Sequence, residues 1–251
     1  MPPRGTQQLV VGSFNIHHGA GPGDELDLQH TADVIADMDA DVLGLQEVDR
    51  HWSPRSGFMD QARWLEQRLG MHMAYGANQD HPPPQPGEPR RQYGTAILSR
   101  YPIRESRNTL LPRPGGGEQR GLLVAELLVG GVTVRFMTTH LQHSSRTDRL
   151  AQAEAINEVV EGAAGTVLVG DLNARPGTPE IHTLTRHLTD TWPVVGTADG
   201  FTYSARAPWA RIDYILASPD IGIGQAEVLH AQASDHLPVI ARLALPQGRI
   251  A

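Results

Sequence analysis

Short runs of apolar and β-branched residues dominate this sequence, and several of them follow one another with no room for a helix in between. Residues 122–128 and 132–138 form two such runs, and Gly130 and Gly131 lie between them. A glycine pair between two strand-like runs is typical of a β-hairpin, whereas parallel strands need a longer crossover, usually a helix. A purely parallel doubly wound fold is therefore disfavoured, and we predict an α/β (α+β) protein with mixed sheets.

The spacing of the apolar residues predicts the individual elements. The predicted strands span residues 9–15, 41–46, 95–99, 122–128, 132–138, 166–169, 212–217 and 239–243. The predicted helices span residues 28–38, 60–69 and 147–161, where apolar residues recur at helical spacing. We expect a single domain over residues 1–251, with flexible ends at residues 1–7 and 246–251.

Two segments carry loop signals. Residues 81–91 contain five prolines, which exclude a regular helix or an inner strand and predict a surface loop. This loop is either an ordinary connection or a rim that faces substrate, because loops on a rigid scaffold often carry binding residues. Residues 112–118 contain three consecutive glycines and are predicted to be a second irregular segment.

The composition of the chain restricts the metal ligands and the partners that we expect. The chain has no cysteine, so any metal ion must be bound by oxygen and imidazole ligands. The net charge of −7 disfavours extensive wrapping of nucleic acid, which needs a basic face. There is neither a signal-peptide pattern at the N-terminus nor a run of about 18 apolar residues that would predict a transmembrane helix. We expect a cytoplasmic, monomeric protein with no transmembrane segment.

Polar residues are concentrated where the predicted strands end. Asn15, Glu47, His140 and Asp171 each close or directly follow an apolar run, and Asn173, Asp213, Asp235 and His236 border others. Side chains at strand ends can converge at one edge of a sheet, where the rigid strands position them for catalysis. Oxygen ligands from Glu47 and Asn15, and also from Asp235, suit Mg²⁺ or Mn²⁺.

Seven segments in this order and spacing closely resemble the endonuclease/exonuclease/phosphatase (deoxyribonuclease I-like) superfamily. They are residues 13–15 (SFN), 45–48 (LQEV), 94–99 (GTAILS), 138–141 (TTHL), 170–173 (GDLN), 211–215 (RIDYI) and 234–238 (SDHLP). Each motif alone is a weak signal, but seven in order make a chance match improbable. The resemblance implies a four-layered sandwich of two packed mixed β-sheets flanked by helices, with the site at one edge.

The resemblance also implies roles for individual residues. Glu47 would be the main metal carboxylate, with Asn15 and possible help from Asp235, and one or two ions would be bound. His236 would act as general base or orient the phosphate, paired with Asp213, since a carboxylate on one imidazole nitrogen stabilises the cation formed at the other. Three further residues would surround the phosphate of the substrate: Asp171, Asn173 and His140.

Several residues have a simpler alternative interpretation. Asn15 and Asn173 are also typical turn residues, and Asp213 is also placed to pair with Arg211. Arg120 and Tyr93 are candidate substrate-binding residues, but Arg120 is equally well interpreted as a solvated charge at the start of a strand. His17 and His18 follow Asn15 and are close enough in sequence to reach the site, although we leave them outside the core set.

The predicted function is that of a metal-dependent phosphoesterase that hydrolyses a phosphodiester or phosphomonoester of a small-molecule or lipid-derived substrate. The acidic charge favours such a substrate over nucleic acid, and residues 138–143 (TTHLQH) resemble sphingomyelinase-like hydrolases more than repair endonucleases. A DNA or RNA nuclease is the alternative. A catalytically inactive binding protein of the same fold is disfavoured, because no member of the core set is missing.

Overall fold

The apolar runs form two mixed six-stranded sheets in the computed structural model, which describes residues 7–246. The predicted flexible ends therefore lie, except for Gln7 and Pro246, outside the described residues. The strands are β1 (Gln8–Asn15), β2 (Val42–Arg50), β3 (His72–His81), β4 (Arg91–Ser99), β5 (Ile103–Leu110), β6 (Gly121–Val129), β7 (Val132–His140), β8 (Thr166–Asp171), β9 (Thr189–Asp190), β10 (Asp213–Ala217), β11 (Gly222–Val228) and β12 (Val239–Ala244).

The first sheet has the strand order β11-β12-β1-β2-β4-β3, and the second has the order β5-β6-β7-β8-β10-β9. Each sheet contains one parallel pair at its centre, β1 with β2 and β7 with β8. The other pairs among the described strands are antiparallel. The prediction of mixed sheets is confirmed, and so is the hairpin at Gly130 and Gly131, where β6 turns into β7 with positive φ at both glycines.

The helices are α1 (Leu28–Asp37), α2 (Gln61–Leu69), α3 (Arg146–Val160), α4 (Pro179–Leu184) and α5 (Trp192–Val195). The first two pack on the outer face of the first sheet, where Ile35 and Leu65 join the buried side chains of Phe14 and Leu43. Helices α3 and α4 cover the outer face of the second sheet. Val42 and Phe136 belong to the apolar cluster between the sheets, so the molecule has the four predicted layers.

The sequence prediction misses four strands, β3, β5, β9 and β11, and these are the four edge strands of the two sheets. An edge strand buries less of its surface, so its sequence lacks the continuous apolar run that marks a central strand. Most residues of β5 are exposed, for example, and β11 buries only Ala226. The two short helices α4 and α5 are missed because they are too short to show an amphipathic repeat.

The proline-rich segment connects β3 to β4 at the surface, as predicted, but its bounds are shorter than expected. His81 and Arg91 are the last paired residues of these two strands, so the loop proper spans residues 82–90. The loop is anchored beside Trp52, whose ring lies 5.3 Å from that of His81. The glycine-rich segment 112–118 lies in the connection between β5 and β6.

Candidate active site

The carboxyl ends of both parallel strand pairs meet at the same edge of the sandwich. Asn15, the last residue of β1, pairs with Gln46 where the parallel pairing with β2 stops, and His140 pairs with Asp171 at the ends of β7 and β8. Strand β10 runs antiparallel to β8 and begins at Asp213, opposite Asp171. The topology therefore brings to one edge polar residues that are far apart in the sequence.

Asn15 joins the two halves of this edge. Its Nδ2 donates to Glu47 Oε1 at 3.0 Å and to Asp171 Oδ2 at 3.1 Å, while its Oδ1 accepts the backbone N–H of His17 at 3.1 Å. Asn15 is fully buried, and it is not merely a turn residue. In this arrangement its amide nitrogen, and not its oxygen, faces the carboxylates, so Asn15 positions Glu47 and Asp171.

Glu47 lies on an irregularity of β2, between the last regular pair at Leu45 and the resumption of pairing at Val48. Its backbone adopts a left-handed conformation with φ of 59°, which is uncommon for a residue other than glycine. A bulge of this kind redirects a side chain and is frequent beside active sites. The half-buried carboxylate of Glu47 accepts its hydrogen bond from Asn15 and remains accessible to a ligand.

His236 and Asp213 form a buried pair. The distance from His236 Nδ1 to Asp213 Oδ2 is 2.9 Å, and Thr202 Oγ1 donates to the same carboxylate oxygen at 2.6 Å. The other oxygen, Asp213 Oδ1, has no hydrogen-bond partner among the described residues. His236 Nε2 points toward Asp171, at 3.6 Å from its Oδ2.

The alternative prediction, that Asp213 pairs with Arg211, is wrong. Arg211 instead forms an ion pair with Asp190 at 2.7 Å and stacks on the ring of Tyr214. The carboxylate of Asp213 is thereby left for His236.

The charges of this cluster shift the pKa of its members. Burial alone would lower the pKa of His236, but the charges of Asp213 and Asp171, with the hydrogen bond that His236 donates to Asp213, raise it to about 10. Burial, and then the charge of Asp213, raise the pKa of Asp171 to about 7, against the opposing effect of His236. In the absence of a cation, the imidazole of His236 is therefore protonated, and its positive charge faces the carboxylates of Asp213 and Asp171.

His140 is held as a neutral imidazole. Burial, and then the charge of Arg120, keep its pKa well below the usual value. Arg120 Nη1 donates to His140 Nδ1 at 3.1 Å, and because a guanidinium can only donate, the ring proton must lie on Nε2. Nε2 faces Asn173 Nδ2 at 3.0 Å and Asp171 Oδ2 at 3.4 Å.

Asn173 is both a turn residue and a member of the site. Its backbone N–H donates to Asp171 Oδ1 at 2.9 Å in a left-handed turn, which is the simpler role expected for it. Its Nδ2 donates to the carbonyl oxygen of Leu141 at 3.0 Å and also faces His140.

Arg120 is 2% exposed, so its interpretation as a solvated charge is wrong. It forms an ion pair with Glu118 at 2.8 Å and holds the ring of His140. Tyr93 is also buried, and its pKa is raised well above the usual value by burial and then by the charge of Glu47, which keeps the phenol protonated. The structure therefore places Arg120 behind His140 and Tyr93 in the electrostatic field of Glu47.

Asp235 lies at the margin of the site. Its carboxylate is 3.4 Å from Ser234 Oγ and 3.9 Å from His17 Nδ1, and its side chain is partly exposed. Ser234 in turn donates to the backbone oxygen of Asn15 at 2.7 Å and accepts the backbone N–H of His236, which joins the segment to β1. Asp235 is thus nearer to the turn after β1 than to the pair of His236 with Asp213.

Sequence reasoning missed two residues that support His236. Thr202 binds the carboxylate of Asp213, and the ring of Tyr203 lies 4.9 Å from that of His236. Both belong to an irregular segment before β10, where no strand or helix pattern marks them. The only sequence signal nearby is Trp209, which is 54% exposed and packs against Tyr203 and Arg175.

The donor set fits a divalent cation. Ligand atoms of Asp171, Asp213 and His236 lie within 4.8 Å of one another, and Asp213 Oδ1 has no hydrogen-bond partner within residues 7–246. The carboxylates of Glu47 and Asp235 lie outside that cluster, and the amide of Asn15 links Glu47 to it. Carboxylate oxygens with few other partners are the ligands that Mg²⁺ and Mn²⁺ prefer.

A cavity of about 650 Å³ lies away from this edge, between α5 and β11, and none of the predicted site residues lines it. Among the described residues, no helix is long and apolar enough to cross a membrane.

Comparison with known proteins agrees with this geometry. The model of the "Endonuclease/Exonuclease/phosphatase family" matches residues 12–236. Among curated relatives, the protein cwh43 of Schizosaccharomyces pombe is 30% identical over 180 residues, which cover 71% of this chain and only 17% of cwh43. The uncharacterized protein YbhP of Escherichia coli is 29% identical over 68% of this chain and 70% of its own length. The chain thus spans less than a fifth of cwh43.

Solved structures share the fold. An endonuclease/exonuclease/phosphatase from Beutenbergia cavernae superposes with a TM-score of 0.83 at 27% identity, covering 98% of this chain and 73% of that one. The mannosyl-6-phosphatase Bt3783 of Bacteroides thetaiotaomicron gives 0.75 at 20% identity, covering 94% and 99% of the two chains. TDP2 of D. rerio, in complex with a single-strand DNA product, gives 0.70 at 19% identity, covering 94% and 98%.

Proposed function

Because this chain belongs to the endonuclease/exonuclease/phosphatase family, we propose that it hydrolyses a phosphate ester of a small-molecule or lipid-derived substrate by in-line attack of water, with Mg²⁺ or Mn²⁺ as the cofactor. The observation that carries this proposal is the grouping of the His236–Asp213 pair, Asp171 and the His140–Asn173 pair on one edge of the sandwich. Such a group combines a proton acceptor with donors for a phosphate.

Glu47 is the proposed main ligand of the cation, with Asn15 as the residue that orients it and Asp235 as a further carboxylate. A bound divalent cation would polarise the phosphoryl oxygens and offset the negative charge that raises the pKa of His236. One or two ions fit the proposal, since the carboxylates of Asp171 and Asp213 offer oxygen atoms within 4.8 Å of each other for a second ion.

With its raised pKa lowered by the bound cation, His236 is the proposed acceptor of the proton from the attacking water. Asp213 holds Nδ1 at 2.9 Å, which fixes the tautomer and leaves Nε2 facing the site. Thr202 fixes the carboxylate in turn, so the imidazole cannot turn away without breaking a buried network. Asp171, which is 3.6 Å from Nε2, is placed to orient the same water.

His140 and Asn173 are the proposed ligands of a phosphoryl oxygen. Their facing atoms, the Nε2 of the ring and the Nδ2 of the amide, are both N–H donors and lie 3.0 Å apart. Two donors aimed at each other are stabilised by an acceptor that both can reach, and a phosphoryl oxygen is such an acceptor. Donors fixed in this way before the reaction stabilise charge that develops in the transition state.

The charge of the molecule supports a small or lipid-derived ester over a long nucleic acid. The net charge is −7, and a protein that follows a nucleic acid backbone needs a row of basic side chains. The fold by itself favours neither class, because one neighbour is named a mannosyl-6-phosphatase and another was solved with a single-strand DNA product.

A hydrolysis panel tests the proposal. The substrates are a bis-aryl phosphate, an aryl monophosphate, a phospholipid, plasmid DNA and RNA, each assayed with Mg²⁺ or Mn²⁺ and again after chelation. We expect turnover of at least one of the first three, and its loss on chelation. Cleavage of nucleic acid alone would overturn the substrate class, and turnover that survives chelation would overturn the metal dependence.

A further inference from the structure

A second group of metal-binding side chains lies in the turn that follows β1, outside the groups used above. His17, His18 and Gly19 form a tight turn with positive φ at all three residues, and Asp24 lies in the loop before α1. Asp24 Oδ1 is 3.2 Å from His18 Nε2 and 3.8 Å from His17 Nε2. One ligand atom from each of the three residues lies within 4.8 Å of the others.

The two imidazoles have few other partners. The side chain of His18 is only 6% exposed, and its Nδ1 has no hydrogen-bond partner among the described residues. The Nδ1 of His17 is buried without a partner as well. Both rings direct their other nitrogen, Nε2, at the exposed carboxylate of Asp24, and a cation bound between these three ligand atoms would satisfy the buried ring of His18 on that side.

The chemistry of these ligands differs from that of the pocket around Glu47. Two imidazole nitrogens and one carboxylate oxygen suit Zn²⁺, Co²⁺ and related transition-metal ions, whereas a site of oxygen ligands suits Mg²⁺. The side chain of Asp24 is 73% exposed, so a further coordination position would open to solvent.

We propose that His17, His18 and Asp24 form a second metal site, for a divalent transition-metal ion of the Zn²⁺ class, in the wall of the candidate active site. His17 provides the connection, since its backbone N–H binds Asn15 Oδ1 at 3.1 Å and its Nδ1 lies 3.9 Å from Asp235 Oδ1. A metal-bound histidine commonly directs its second ring nitrogen at a carboxylate, and Asp235 is placed for that role. Metal binding at this site does not depend on the proposed hydrolysis.

Titration with Co²⁺ tests the site, because a Co²⁺ ion bound by imidazole in a four-coordinate site absorbs visible light far more strongly than the aqueous ion. We expect such a band in the unaltered protein and at least an approximately tenfold weaker affinity in Asp24→Asn. Asp24 has a positive φ, which asparagine also tolerates, and an exposed side chain, so the variant should fold.

Asp39→Asn is the matched control. Asp39 is also an aspartate with positive φ, its side chain is 78% exposed, and it also pairs with a basic side chain, Arg100. We expect this variant to bind Co²⁺ as the unaltered protein does. Equal weakening in both variants would show a general effect of surface charge and would overturn the proposal.

Two further variants separate this site from the candidate active site. Glu47→Gln and His236→Asn should retain the absorption band, and X-ray absorption at the zinc edge should show two imidazole ligands in both. Loss of the band in His236→Asn but not in Asp24→Asn would place the ion at the cluster of Asp171, Asp213 and His236. That result, or the absence of any band, would overturn the second site.

Discussion

In each sheet, the parallel pairing of the two central strands stops at polar residues, at Asn15 and Gln46 beside Glu47 in the first sheet and at His140 and Asp171 in the second. The two halves hold these residues differently. Glu47 is half-buried on a bulge and is oriented by Asn15, whereas His140 and Asp171 are buried and have hydrogen-bond partners in several directions. The same topology thus gives an accessible carboxylate on one side and a rigid donor array on the other.

This difference assigns separate tasks to the two halves. An accessible carboxylate can exchange its ligand, as the binding of a cation requires. Buried groups with fixed partners are suited to hold a phosphate and a water in one geometry. We therefore propose that the first sheet mainly sets the metal affinity and the second the rate of the chemical step, and mutations in each half distinguish these two tasks.

The largest effect is expected from His236→Ala, which removes the proposed proton acceptor that Asp213 of the second half holds in place. We expect kcat to fall by about 10²- to 10⁴-fold, because general base catalysis contributes that much. Raising the Mg²⁺ or Mn²⁺ concentration should not restore the rate. Steady-state kinetics over a metal titration measure this, with His230→Ala as the control, since His230 is exposed outside the site. A near-normal kcat in His236→Ala would contradict its role.

Glu47→Gln tests the first half. We expect about a 100-fold loss of activity at low metal concentration and partial recovery at high concentration, because the amide is a weaker ligand than the carboxylate. Glu227→Gln, an exposed substitution on β11 of the same sheet, should leave the metal dependence unchanged. If the loss in Glu47→Gln were the same at every metal concentration, the division of tasks between the two halves would fail.

Gly44→Ala tests the spacing between the sheets on which the shared edge depends. A Cβ at this position would lie 2.5 Å from Val169 Cγ2 and 2.6 Å from Thr138 Oγ1 of the opposite sheet. We expect a loss of about 1–3 kcal/mol in the free energy of unfolding, as for other overpacked cores. Urea denaturation measures it, with Gly222→Ala on the edge strand β11 as the milder control. Equal stability of both variants would show that the sheets can move apart.

The sequence predicts the centre of this fold better than its edges, for a physical reason. Strands such as β1 and β8 are buried on both faces, so they appear as apolar runs. The edge strand β5 has mostly exposed, polar side chains. Its position depends on pairing with β6, and this pairing cannot be predicted from the local sequence.

The candidate site divides in the same way. Residues directly at the ends of central strands were identified from the sequence because the strands themselves were recognisable. Thr202 and Tyr203 were missed, since they reach Asp213 and His236 from an irregular segment. From the sequence, His17 and His18 were candidates only because they follow Asn15. Their contact with Asp24 could not be predicted, because it depends on the path of the loop before α1.

The smallest effect is expected from Arg120→Met, which changes the second half without replacing any residue proposed to contact the phosphate or the attacking water. Arg120 fixes the proton of His140 on Nε2 by donating to Nδ1, so its loss should let the neutral ring sample both tautomers. We expect about a tenfold lower kcat with little change in metal affinity, similar to the effect of outer partners in other sites. The ¹⁵N chemical shifts of the His140 ring report the tautomer, and a purely structural role would leave them unchanged. Arg104→Met on the exposed side of β5 is the control, and unaltered ring shifts in Arg120→Met would refute this positioning role.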